Sequence, residues 1–207
     1  MENLSESLLQ QGYQLKAKVS LQDLLPFLKE QSKKPGLLLR VYQIGLIIGL
    51  MVSGFMLGQS LARLDSPEFI LSFFVGLLAI IPIIPIHELL HALAYRVFGA
   101  KDIRFGANWK SLYFYAGAHR FIADQKSFPW IAFLPVGLIT LAGLAAIPFV
   151  PGEIASGIVV FLTAHWLLSG GDFTLACLML SSDREEWVTY DDLDEGTSYF
   201  FARETGN

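Results

Sequence analysis

Long apolar runs, each bounded by short polar segments, divide the chain into four blocks at roughly 37–62, 69–98, 130–150 and 154–180. A bilayer core is crossed by about 20 helical residues, so each block is long enough to span. Ahead of them, "LKAKVS" (residues 15–20) alternates apolar and polar positions and predicts a short strand. Ser20 then stands as an N-cap for a helix whose face carries Leu21, Leu24, Leu25 and Leu28, although Pro26 falls inside it. Residues 1–36 thus read as an amphipathic cap lying on a membrane surface. In the connection 99–129, β-prone segments flank Gly106, Ala107 and Asn108, a turn composition, and predict a membrane-surface hairpin. The fold class expected is an all-α membrane protein with four transmembrane helices and such a hairpin. The division is a 1–36 cap, a 37–180 membrane domain and an acidic 181–207 tail.

Composition supports the membrane reading. Of 207 residues, 53% are hydrophobic and only 16% charged, against roughly 25% charged in soluble domains. The formal net charge of −4 matters less than where the charges lie. Lys16, Lys18, Lys29, Lys33, Lys34 and Arg40 precede the first block, and Arg63 alone follows it. Lys101, Arg104, Lys110, Arg120 and Lys126 lie in 99–129, and residues 151–153 hold no basic residue. Positive charge stays cytoplasmic, which puts both termini and the 99–129 loop on that side. The first apolar run follows a polar N-terminus, so it is expected to be a retained span and not a cleaved signal. Cys177, the sole cysteine, excludes a disulfide within the chain and a cysteine-based zinc site. Trp109, Tyr113, Phe114 and Tyr115 fit an interfacial aromatic belt. Alternatively they mark an exposed strand edge that holds an extended peptide, with Tyr113 among the substrate-binding candidates.

The second block contains His87, Glu88, Leu89, Leu90 and His91. On a helix the two histidines lie one turn apart on one face and reach the same ion. Glu88, one position round, reaches water beside that ion and is placed to act as general base. Such groups carry an insertion penalty of several kcal/mol in an apolar span and persist where they pair, bind an ion or line water. Pro82 and Pro85 remove two amide donors and crowd the carbonyls of Leu78 and Ile81. The span is therefore expected to break here, with Pro85 in the first turn of a new helix that faces a hydrated cavity open to the cytoplasm.

A catalytic zinc site takes a third protein ligand. Asp172 is the only acidic residue within the fourth block, beside Gly170 and Gly171, which admit a close neighbouring helix. Counted back from the cytoplasmic ends, His91 and Asp172 both lie roughly 12–14 Å deep, level with each other. His165, seven residues earlier, is expected far deeper, as a second-shell or substrate-side group, and His119 lies in the loop as a weaker candidate.

The motif in an apolar span, the proline-containing "FLPVG" segment with Pro135, and the late lone aspartate resemble intramembrane metalloproteases of the site-2 protease type. A closer resemblance is to a zincin-type family of bacterial membrane metalloproteases with a similar four-span layout, over residues 70–180. The resemblance implies Zn2+ held by His87, His91 and Asp172, with Glu88 catalytic, in a protein of the bacterial inner membrane. In site-2 proteases glycine follows the metal-binding aspartate, whereas here Gly171 precedes Asp172 and Phe173 follows it. The function expected is a zinc-dependent endopeptidase acting in or near the bilayer. The alternatives are a metal-binding membrane protein without proteolysis and, less supported with only four histidines, a diiron oxygenase. The partners expected are the lipid bilayer and a membrane-protein or peptide substrate, with no nucleic acid.

Overall fold

The computed structural model describes residues 4–63, 67–108, 113–182 and 184–205. In chain order they form α1 (Leu4–Gln10), β1 (Gln14–Ser20), α2 (Leu24–Gln31), α3 (Leu37–Arg63), α4 (Pro67–Leu78) and α5 (Ile80–Val97). There follow β2 (Ile103–Asn108), β3 (Tyr113–Ala118), β4 (Ala123–Asp124) and α6 (Phe128–Ala146). The chain ends with α7 (Gly152–Leu168), α8 (Gly170–Met179), β5 (Glu185–Asp192) and β6 (Thr197–Glu204). The protein is mostly helical with an added sheet, so the all-α expectation is corrected.

Among the described residues, three helical stretches are long and apolar enough to cross a membrane: Leu37–Ala62, Pro67–Val97 and Phe128–Phe149. The pair α7 and α8, bent by 45° at Ser169, passes the same test only when taken together. Met51, Phe55, Leu71, Leu141 and Phe149 project from the helices almost uncovered. Large apolar side chains this exposed are a liability in water and would be at home in lipid. Where helices meet, small residues set the spacing. A Cβ at Gly76 on α4 would lie 2.2 Å from the Gly157 carbonyl oxygen on α7, so the two backbones touch.

The second span is interrupted, but not where expected. The break is at Ala79, and α5 starts at Ile80 with Pro82 in its first turn and Pro85 inside it. Pro82 lacks the N–H that would bond Leu78, and its ring crowds that carbonyl, so the helix yields one turn ahead of Pro82.

The terminal segments form a four-stranded antiparallel sheet in the order β1-β6-β5-β4. The strand expected at 15–20 is β1, and Ser20 Oγ accepts from Gln22 N at 3.2 Å to start the turn leading into α2. The face expected to be apolar on α2 buries Leu24 and Leu28 while Leu25 stays exposed. The tail carries β5 and β6. One sheet face packs Trp187, Phe200 and Ala202 against Phe128, Ile131 and Met179. On the other, Tyr190, Tyr199 and Phe201 pack with Leu8 of α1.

The hairpin expected in 99–129 is β2 paired with β3, Gly106 opposite Tyr115. Gly106, Ala107 and Asn108 are not its turn; they lie within β2. A Cβ at Gly106 would meet the Tyr115 ring at 2.3 Å, so this glycine serves a close approach in a strand. Trp109 and Lys110 lie outside the described residues. His119 bridges to Asp191 of β5, which joins the hairpin to the terminal sheet.

Candidate metal centre

The helix α5 presents His87, Glu88 and His91 on one face, as the four-residue histidine spacing requires. The two Nε2 atoms are 3.0 Å apart. The α7–α8 bend brings Asp172, in the first turn of α8, to them: Oδ2 lies 3.3 Å from His87 Nε2 and Oδ1 lies 3.3 Å from His91 Nε2. Glu88 can also bring a carboxylate oxygen within 4.8 Å of both histidine nitrogens.

The orientation of each ring follows from its second nitrogen. His91 Nδ1 is 2.8 Å from the Ile131 carbonyl of α6, which can only accept, so Nδ1 carries the proton and Nε2 offers its lone pair. His87 Nδ1 lies 3.0 Å from His165 Nε2 of α7. With Nδ1–H donating there, His87 Nε2 also keeps its lone pair for the cluster. Two lone pairs and a carboxylate then converge on one point, which is repulsive unless a cation lies among them.

A tetrahedral zinc with bonds of about 2.0–2.1 Å needs ligand atoms roughly 3.3–3.4 Å apart. The histidine nitrogens at 3.0 Å come within a few tenths of an ångström of that spacing, and a separate Asp172 oxygen approaches each of them at 3.3 Å, Oδ2 towards His87 and Oδ1 towards His91. The Ile131 carbonyl and His165 supply the outer partners that metal-bound imidazoles normally have. The donor set of two imidazole nitrogens and a carboxylate therefore fits zinc.

Glu88 is fixed from the other side, since its Oε2 accepts from Ala116 N of β3 at 2.7 Å. His119 N donates to the Asp102 carbonyl, so odd-numbered amides of this segment point to β2 and even-numbered ones point away. Ala116 N–H is thus on the strand edge that faces α5. The centre opens into a cavity of about 400 Å3 walled by α2, α5, β3, α8 and the inner face of β5 and β6.

The remaining candidates are distributed as follows. His165 is almost wholly buried and touches His87, so it is not far deeper than the cluster; the bend at Ser169 brings it and Asp172 to the same place. His119 is engaged elsewhere. Its Nδ1 accepts from Leu193 N at 3.1 Å and its Nε2 lies 3.5 Å from Asp194. Tyr113 opens β3 opposite Asn108. Backbone groups of Ala116 and Ile131 carry no side-chain signal, and Asp191 in the cavity wall was hidden within an acidic run.

Neither curated proteins nor solved structures show significant similarity to this chain. A family model does, and it spans the motif helix, the hairpin and both halves of the bent pair. With residues 80–186 matched, just over half of its length, the chain belongs to the family described as "Putative zincin peptidase".

Proposed function

We propose that the protein is a zinc-dependent endopeptidase that hydrolyses peptide bonds in or close to the bilayer. The observation that carries the reading is the convergence of His87 Nε2, His91 Nε2 and the Asp172 carboxylate at 3.0–3.3 Å, with Glu88 beside them. Family membership supports metallopeptidase chemistry, and zinc with it. His87, His91 and Asp172 would hold the ion. Zinc bound there supplies a Lewis acid that polarises the scissile carbonyl and makes water acidic enough to attack near neutral pH. Glu88 takes the proton of the attacking water and passes it to the departing amine nitrogen, so water is divided between the new carboxylate and the new amine. The hydrogen bond from Ala116 N to Oε2 holds the carboxylate for both transfers. An extended substrate laid along the α5-facing edge of β3 would run past Glu88.

The membrane placement belongs to the same proposal. β1, β4 and β5 share one sheet, so the chain between any two of them crosses the bilayer an even number of times. Between β1 and β4 that number is met by α3 and by the α4–α5 span. Between β4 and β5 it is met by α6 only if α7 and α8 together make a fourth crossing. The lysine and arginine bias then places the sheet, the hairpin and the cavity mouth on the cytoplasmic side of a bacterial inner membrane.

Purified protein should hold about one zinc per chain, and His87→Ala or His91→Ala should empty it. Glu88→Gln should keep the metal and lose cleavage of an unstructured peptide by about 100-fold or more. Turnover that survives Glu88→Gln would exclude the peptidase mechanism, and an unaltered metal-binding protein without cleavage would favour a non-proteolytic role.

A further inference from the structure

The cavity wall holds one acidic group that the zinc chemistry does not use. Asp191 stands on β5 directly opposite Ser198 of β6, on the sheet face that also carries Thr189 and Phe200. Ser198 Oγ donates to Asp191 Oδ1 at 2.5 Å. No Lys, Arg or His nitrogen forms an ion pair with this carboxylate among the described residues. The nearby Arg120 Nε pairs with Asp192 at 3.0 Å, and Arg104 pairs with Asp102 and Asp194. The lining contains neither lysine nor arginine; its ionisable groups are the three histidines, Glu88, Asp172, Asp191 and three tyrosines.

Charge counting isolates Asp191. A divalent ion held at the metal centre would be balanced by Asp172 and Glu88, which would leave Asp191 as the lining's one carboxylate without an opposite charge. Burial pushes its carboxyl up against the lowering effect of the Ser198 hydrogen bond. A buried carboxylate is stable when a cation meets it. A sphere of the cavity's volume, about 400 Å3, would be roughly 9 Å across, which sets the scale at about three extended residues. Any cation there belongs to a residue close to the bond being cut.

We propose that Asp191, oriented by Ser198, forms a subsite that selects a lysine or arginine side chain of the peptide substrate within about three residues of the scissile bond. The inference rests on the peptidase reading and specifies its substrate class. It is a specificity determinant on the terminal sheet, so the two chain ends help to choose what the membrane helices cut.

The test uses fluorogenic peptides in which one lysine or arginine is moved along an otherwise neutral sequence, each paired with its norleucine or citrulline counterpart. Cleavage by the full-length protein in detergent should favour the basic peptide at one position by about tenfold or more. Asp191→Asn should bring that ratio towards one, and Ser198→Ala should reduce it less. Zinc content equal to wild type shows that each variant is folded. Binding of the same pairs to the Glu88→Gln protein, followed by fluorescence anisotropy, gives a readout without turnover. Preferential binding of basic peptides that depends on Asp191, with no cleavage by wild type, would keep the subsite and refute the peptidase reading. Cleavage indifferent to the basic residue, or a preference that survives Asp191→Asn, would overturn the subsite and leave that reading intact.

Discussion

His165 is 1% exposed, its Nε2 faces His87 Nδ1, and its own Nδ1 has no hydrogen-bond partner among the described residues. Leaving a polar atom unpaired in a core costs about 1–3 kcal/mol, so packing alone is a poor reason for a histidine here. In the proposed centre, it would accept the His87 proton and so turn Nε2 of His87 towards His91 and Asp172. His165→Ala should retain zinc but bind it about 10- to 100-fold more weakly, as chelator competition would measure. An unchanged affinity would assign His165 to packing. At this scale the motif itself was legible, because a helix leaves no freedom in where two histidines four apart must point. The contact between His165 and His87 was not legible. It depends on a 45° change of direction at Ser169, between His165 and Asp172, which a straight-helix count of depth ignores.

Among the elements, the apolar blocks announced the long apolar helices, of which three among the described residues are long enough on their own to cross a membrane, because lipid would impose length and composition together. The terminal sheet gave a weaker signal. β6 is central, between β1 and β5, and is buried on both faces from Thr197 to Ala202, so "TSYFFA" has no alternation to read. Helix contacts too are set by features with no periodic signature. At Gly76 the obstacle to a side chain is the backbone of α7, which cannot swing aside as a side chain would. Gly76→Val should therefore force α4 away from α7 and destabilise the protein by about 1–3 kcal/mol. Gly54 on α3 has open space where its Cβ would go. Gly54→Val is the matched control and should leave the thermal midpoint in detergent nearly unchanged. Equal effects of the two substitutions would refute the close-crossing account.

For the whole molecule, the question is what ties the hairpin to the sheet that closes the cavity. Two arginines cross that boundary. Arg104 reaches Asp194 at 2.7 Å, but Asp194 is 68% exposed and such a pair contributes little. Arg120 Nε reaches Asp192 at 3.0 Å, and Asp192 is 7% exposed and also accepts from Asp194 N and Glu195 N. Asp192 is therefore the stronger tie. Burial works against its charged form, but the Glu195 amide and the Arg120 guanidinium prevail and hold the carboxyl below its ordinary value of 3.8. A depressed carboxyl binds protons less readily folded than unfolded, so its stabilisation is full above about pH 4 and is lost as pH falls through the folded value. Asp192→Asn, which removes the carboxylate that Arg120 Nε meets, should cost about 1–3 kcal/mol at pH 6, or about 2–4 °C in midpoint per kcal/mol. The gap between wild type and variant should narrow as thermal scans in detergent move below pH 4, because acid removes from wild type what the substitution has already removed. A gap that stayed constant across this range would mean that Asp192 acts through the shape of its turn and not through charge.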